Sequence, residues 1–209
     1  METEVKRLAE KVWGKSTLAS RAAEALNSLY LNKKGVSDDT FAVNIPMDGY
    51  HYTRAQLAAM PDPQTAIYRR GAAFTFDAEN FYKLVQKLRE PLNAEGKTIF
   101  APSFDHALKD PVADNIKIHQ STHIVFLEGN YLSLDREPWR SAALLMDELW
   151  FVTIDREIAR QRLAKRHVIS GIVPNLEAAH HRIKTTDFLN ADDILQNGLK
   201  VDEEIRGDV

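Results

Sequence analysis

Gly14-Lys15-Ser16-Thr17-Leu18 opens a run in helical rhythm that continues through Ala22, Ala25, Leu26 and Leu29. A Gly-Lys-hydroxyl triplet at the mouth of a helix is the second half of the phosphate-binding pattern G-x-x-x-x-G-K-[ST]. In that pattern the lysine meets phosphate oxygens and the hydroxyl meets a magnesium ion. The first half is missing. Its leading glycine belongs at position 9, which is Ala9. Val5, Leu8, Ala9 and Val12 recur at helical spacing, so residues 5–13 are predicted as a short amphipathic helix where the pattern needs a buried strand. Taken alone, the triplet also fits a solvated helix start.

Outward from there, helices and strands alternate. Asn32-Lys33-Lys34-Gly35 carries the turn chemistry that ends the first long helix. Phe41, Val43 and Ile45 alternate with smaller or polar neighbours and predict a strand, which stops at Pro46 and delivers Met47-Asp48-Gly49-Tyr50-His51-Tyr52. Residues 53–76 read as irregular, and Asp77 is an N-cap for a helix reaching Leu88. Pro102 to Pro111 read as a polar loop. Ile124-Val125-Phe126-Leu127 is a short apolar strand ending in Glu128-Gly129-Asn130-Tyr131, and Leu149 to Ile154 is another. Asp155 caps a basic helix to His167; Gly171 to Pro174 break the chain, and a further helix starts near Asn175. This alternation predicts an α/β fold with a mostly parallel sheet. Ligands of such sheets lie beyond the carboxyl ends of the strands, where Asp48 and Glu128 fall.

Composition narrows the classes. A chain of 209 residues suits one domain, taken here as 1–209. A net charge of −3 gives no electrostatic grip on nucleic acid, and the absence of cysteine excludes disulfides and thiolate metal sites. No apolar run approaches the length of a membrane span, and the acidic N-terminus lacks a secretory core. A cytoplasmic protein is the expectation.

Several residues have the chemistry for a site, each with a plainer alternative. Asp48 can accept a proton from a substrate hydroxyl, or belong to an Asp-Gly turn. Glu128 can hold the water shell of Mg²⁺, or be a strand-end carboxylate in solvent. Arg69 and Arg70 offer donors to an anionic or hydroxylated ligand, or form a surface pair. Arg160, Arg162 and Arg166 lie on a helix before a glycine-containing break; such a lid can bring cations onto a transferring phosphate, or the face can be solvated with local acid partners. Asp105 and His106 can meet a polar substrate or cap a turn. His180 and His181 point to different helix faces, which argues against a joint metal site.

Together these strings resemble the phosphoribulokinase/uridine kinase/pantothenate kinase family of P-loop kinases, in a uridine-kinase-like or fructokinase-like member. The carriers, in order, are Gly14 to Ala19, Pro46 to His51, Arg69-Arg70-Gly71 with Thr75-Phe76-Asp77, Pro102 to His106 with Asp110-Pro111, and Leu127 to Leu132. The Arg162/Arg166 helix and Thr186 to Ala191 complete the set. The resemblance implies a three-layer P-loop fold that transfers the γ-phosphoryl group of ATP, with Mg²⁺, to a hydroxyl of a nucleoside, sugar or related metabolite, as a monomer or homodimer. It implies nucleotide contacts from Gly14, Lys15, Ser16 and Thr17, and metal contacts from Ser16 and Glu128. Asp48 takes the position of the catalytic base, with Lys15, Arg162 and Arg166 beside the transferring group. Tyr50, His51, Arg69, Arg70, Asp105, His106 and Asn130 fall on the acceptor side. A lid is expected over about 156–175.

The departure from the family is at the front. A central strand and the start of the glycine-rich loop, on the order of 15–20 residues, are absent between the first helix and Gly14. A splice variant or a faulty gene model would produce this. The competing expectation is an isoform that lost ATP binding and serves as a non-enzymatic binding or regulatory protein.

Overall fold

In the computed structural model, residues 15–34, 40–90 and 98–207 are described. The predicted helix over 5–13, Ala9 and Gly14 lie outside them. Helix α1 (Lys15–Lys34) leads into strand β1 (Ala42–Pro46). Strand β4 (Ile124–Glu128) lies beside β1 in parallel, with Ala42 opposite Ile124 and Pro46 opposite Glu128. A second parallel pair joins β5 (Trp150–Thr153) to β6 (Glu203–Arg206). Between β1 and β4 in the chain come helices α2 (Arg54–Ala58), α3 (Pro63–Tyr68) and α4 (Ala78–Arg89), then the hairpin of β2 (Ile99–Asp105) and β3 (Asp110–Ile118). Helix α5 (Trp139–Ala143) precedes β5; α6 (Arg156–Ile169), α7 (Leu176–Arg182) and α8 (Phe188–Gln196) precede β6.

The capping residues read from sequence take their places. Asp77 accepts from the Asn80 amide at the start of α4, Asp155 from Glu157 and Ile158 at α6, and Asn175 from Ala178 at α7. Two segments differ from expectation. Residues 53–76 are ordered into short helices. Thr53 and Gln56 form a reciprocal capping box at α2, and Asp62 caps α3 with Pro63 in its first turn. The Pro102–Pro111 stretch is not a loop but the turn-side half of an antiparallel hairpin. Pro102, which has no amide to donate, sits where the register slips between Ala101 and Ser103, so the ladder tolerates it.

The main core lies on one side of the β1–β4 pair. Ile45, Met47, Phe81, Tyr131 and Trp139 are buried there, joined by Val125 and Leu127 from one face of β4. The other face belongs to α1: Ala23 and Leu26 pack with Ala42, Ile124 and Phe126, while Leu18 reaches Val152 and Ile205. A single helix therefore spans both parallel pairs, which are two separate two-stranded sheets among the described residues. The fold is α/β, with parallel strands flanked by helices, as expected.

Two glycines sit at close approaches beside the carboxyl ends of β1 and β4. A Cβ on Gly49 would stand 2.3 Å from the Pro102 carbonyl oxygen of β2, and one on Gly129 would stand 2.4 Å from the Met47 Cβ. Each follows a candidate acid. The Asp-Gly pair thus lets the end of β1 meet β2, and the Glu-Gly pair lets the end of β4 meet the residue after β1. Gly129→Ala, which drives a methyl into the buried Met47, is expected to lower unfolding free energy by about 1–3 kcal/mol, measured by urea titration; Gly71→Ala, at an open site with φ +108°, tests strain without crowding.

Candidate active site

The N-terminus of α1 meets the carboxyl end of β4. Ser16 Oγ donates to Glu128 Oε2 at 2.9 Å, and Lys15 Nζ stands 3.8 Å from the same oxygen. Glu128 is 8% exposed, so its charge has little water. Burial is the largest influence on its carboxyl and raises its pKa; the Lys15 charge and the Ser16 hydrogen bond pull the other way, and Asp48 adds to the rise. The influence of Asp48 reflects proximity. It lies two residues past Pro46, which pairs with Glu128, in a 3₁₀ turn over Met47–Tyr50. Its side chain is half exposed. Both acids thus stand on one rim with Lys15, and all three border one large cavity.

His51 follows on that rim. Its ring stacks on Phe76 at 3.9 Å between centroids, and its Nε2 lies 3.9 Å from Asp48 Oδ1. Burial lowers its pKa to about 4, against the upward pull of Asp48, so the ring is neutral near pH 7. Arg70 is held by two backbone carbonyls, donating to Lys109 O at 2.6 Å and Tyr52 O at 3.1 Å, and by Asp110 Oδ1 at 3.0 Å. Asp110 also accepts from Arg54. Burial would raise its carboxyl, but these donors outweigh it and hold it below the usual range. The guanidinium of Arg70 lies 5.5 Å from the centre of the Phe104 ring, so the cation is fixed at the cavity wall by partners distant in sequence.

His106, Asn130, Arg162 and Arg166 also border the cavity. Arg162 and Arg166 share a face of α6, four residues apart; Arg162 donates to the Gly207 carbonyl at 3.2 Å. Arg160 instead pairs with Glu157, its local acid. Helix α6 packs on α7 and the residue after it through Ala164, Ala179 and Ile183. Three expected acceptor-side residues do not border the cavity, and neither do Ser16 and Thr17 of the nucleotide set. Tyr50 is buried in the core, edge-on to Phe81, and burial raises its hydroxyl pKa. Asp105 accepts from the Ala107 and Leu108 amides and shapes the hairpin turn. Arg69 donates to Asn190 Oδ1 at 2.8 Å, tying the α3 end to α8. Thr17 is exposed on α1. Asp110 and Asn190, which fix the two arginines, carried no site role in the sequence; only their strings, Asp110-Pro111 and Thr186 to Ala191, pointed to the region. Among the described residues no group of three His, Asp or Glu side chains is placed to hold a metal ion.

A family model described as phosphoribulokinase/uridine kinase matches residues 9–170. The chain belongs to this family. It is 68% identical over 161 residues to an ATP-dependent kinase-like protein of Aspergillus versicolor, covering 77% of this chain and 94% of that one. It is 34% identical to the ATP-dependent kinase YFH7 of Saccharomyces cerevisiae, covering 93% of this chain and 64% of the yeast protein. The crystal structure of YFH7, described as a P-loop kinase with a circular permutation, superposes with a TM-score of 0.73 at 35% identity over 81% of this chain and 59% of that one. The chain thus spans about three fifths of the yeast kinase. A structure from Silicibacter, provisionally described as a fructose transport system kinase, gives a TM-score of 0.74 at 29% identity over 91% of this chain and 83% of its own. The alignment with YFH7 runs to 229 positions against a chain of 209 residues, so the yeast kinase carries segments with no counterpart here. The family-level expectation and the P-loop kinase fold are borne out.

The buried His51 gives a pH signature. Its folded pKa of about 4 lies below the unfolded value of 6.5, so the unfolded state takes up more protons in between. Stability is expected to be full above pH 6.5 and to fall toward pH 4 by on the order of 3 kcal/mol from this residue. Urea midpoints at pH 7 and 4.5 for the wild type and His51→Phe check it; the variant should show the smaller difference.

Proposed function

We propose that the chain is an ATP-dependent kinase that phosphorylates a hydroxyl of a small metabolite, of the nucleoside or sugar class. The observation that carries this is the convergence of Lys15, Ser16 and Glu128 at the end of β4, with Asp48 on the same rim. The donor set fits Mg²⁺. A serine hydroxyl and a buried carboxylate are oxygen ligands of the kind this hard cation takes, alongside substrate phosphates. Glu128, its pKa raised chiefly by burial, is a charge that a cation would offset. When bound, the ion screens the phosphate charge and orients the oxygens around the transferring group.

The remaining work falls to this chain's side chains. Lys15 supplies a positive charge to the ATP phosphates. Asp48, half exposed, has room to accept the acceptor's hydroxyl proton as the oxygen attacks in line. His51, neutral and pinned against Phe76, presents a polar edge beside Asp48 without adding charge. Arg70, held at the wall by Asp110, and Asn130 face the acceptor. Arg162 and Arg166, on one helical face, serve the leaving phosphate. Residues 1–209 form one kinase domain in this reading, with a lid over about 156–175 and no demand for nucleic acid. A cytoplasmic location, as monomer or homodimer, accompanies it. Among the described residues no helix is long and apolar enough to cross a membrane.

Asp48→Asn keeps the shape and removes the base. Acceptor-dependent ADP release, screened over nucleosides and hexoses, is expected to fall about 10²–10⁴-fold in kcat, while calorimetric affinity for Mg·ATP stays within a few-fold. Turnover at the wild-type rate in that variant would remove Asp48 from the mechanism.

A further inference from the structure

The acceptor side of the rim holds an arginine with no free fork to offer an anion. A guanidinium grips a phosphate or carboxylate best with two parallel N–H groups. Both such forks use Nη2, paired either with Nη1 or with Nε. In Arg70 the two Nη2 hydrogens go to the Tyr52 carbonyl at 3.1 Å and to Asp110 Oδ1 at 3.0 Å. Nη1 donates to the Lys109 carbonyl at 2.6 Å, and Nε is buried with no partner among the described residues. Arg70 borders the cavity and Asp110 does not. The carboxylate thus draws the donors away from the space a ligand enters.

Asp110 is itself firmly seated. Besides Arg70, it accepts from the Arg54 amide at 2.9 Å and from Arg54 Nε at 3.2 Å. Arg69, the neighbouring cation, does not border the cavity and donates to Asn190 instead. Lys109 is exposed on the hairpin turn, a hydrated point charge rather than a planar fork. What remains along this wall is aromatic. The Phe104 ring lies 5.2 Å from that of His51 and 5.3 Å from that of His106, and all three border the cavity. Ring faces and the neutral edge of His51 suit a sugar or a base better than a phosphate.

We propose that Asp110 is a specificity-determining residue: by filling the fork of Arg70 with the chain's own carboxylate, it restricts the acceptor to unphosphorylated hydroxyl compounds. This selectivity works by exclusion. A phosphorylated acceptor finds no guanidinium fork and still meets the carboxylate of Asp48. The inference rests on the kinase reading for there being an acceptor at all, whereas the occupied fork is a binding property that can be measured without turnover.

The test compares ribose, fructose and uridine, each against its own monophosphate. In the wild type, ADP release from Mg·ATP is expected to favour the unphosphorylated member by roughly tenfold or more in kcat/KM, the scale of a hydrogen bond to a charged group. Calorimetry without nucleotide then follows ribose monophosphate. Asp110→Ala is expected to bind it roughly tenfold or more tighter than the wild type does. Asp110→Asn, which keeps an acceptor atom and loses the charge, should gain less. Adding Arg70→Gln to Asp110→Ala should abolish the gain, whereas phosphate held at Lys15 would not respond to Arg70. A merely structural role for Asp110 would weaken both members of each pair alike. Should Asp110→Ala fail to fold, Asp110→Asn and the wild-type preference carry the test. Three results overturn the proposal: a wild type that prefers a monophosphate, no gain in an Asp110 variant with the wild-type circular dichroism, or a gain that survives the loss of Arg70. ADP release with none of the compounds, alongside the expected gain in binding, leaves the occupied fork standing and counts against the kinase reading alone.

Discussion

The contact between Ser16 Oγ and Glu128 Oε2 organises this molecule. It joins the first residues of a helix to the last residue of a strand 112 positions away, and it does so at a carboxylate with little solvent. A buried carboxylate without partners would be expensive to keep charged. Ser16 and Lys15 reduce that cost, and in return the end of β4 holds this part of the helix. The parallel register carries the arrangement sideways, since Pro46 opposite Glu128 sets Asp48 on the same rim. Gly129 allows it, because a side chain there would collide with Met47 just past the end of β1. A lysine, a hydroxyl and two acids thus gather from three segments.

The rest of the cavity wall is built by anchoring cations. Arg70 is spread over two carbonyls and Asp110, and Arg69 is tied to Asn190. Fixed guanidinium groups lose little freedom when a ligand arrives. Arg162 and Arg166 sit on a helix that packs on α7, and Arg162 is anchored as well, donating to the Gly207 carbonyl just past β6.

Much of this was legible in the chain. Short apolar runs ending in Asp48 and Glu128 marked the strands, and Asp77, Asp155 and Asn175 marked three helix starts by one mechanism, a side-chain oxygen facing free amides. The resemblance put Ser16 and Glu128 at one metal site, and the two side chains meet. Other elements were hidden for physical reasons. Pro102 and Pro111 made a hairpin look like a loop, because the bulge that accommodates Pro102 is a tertiary fact. Thr53 with Gln56 and Asp62 with Pro63 were readable caps, but the helices behind them are too short for a periodic signal. The strand Glu203–Arg206 has one apolar residue and forms only because β5 offers an edge. Tyr50 sits beside the site in sequence, yet its ring turns into the core, and Asp105 spends its carboxylate on a turn. Local strings locate a rim; they do not say which side chains face it.

The most direct measurement is thermal unfolding of the wild type and Lys15→Ala with and without Mg·ATP. A ligand that binds only the folded state raises the midpoint as its concentration exceeds Kd. A rise with Mg·ATP in the wild type, lost or sharply reduced in Lys15→Ala, is the predicted result. No rise at millimolar nucleotide, or an equal rise in both proteins, would contradict a nucleotide site built on Lys15, Ser16 and Glu128.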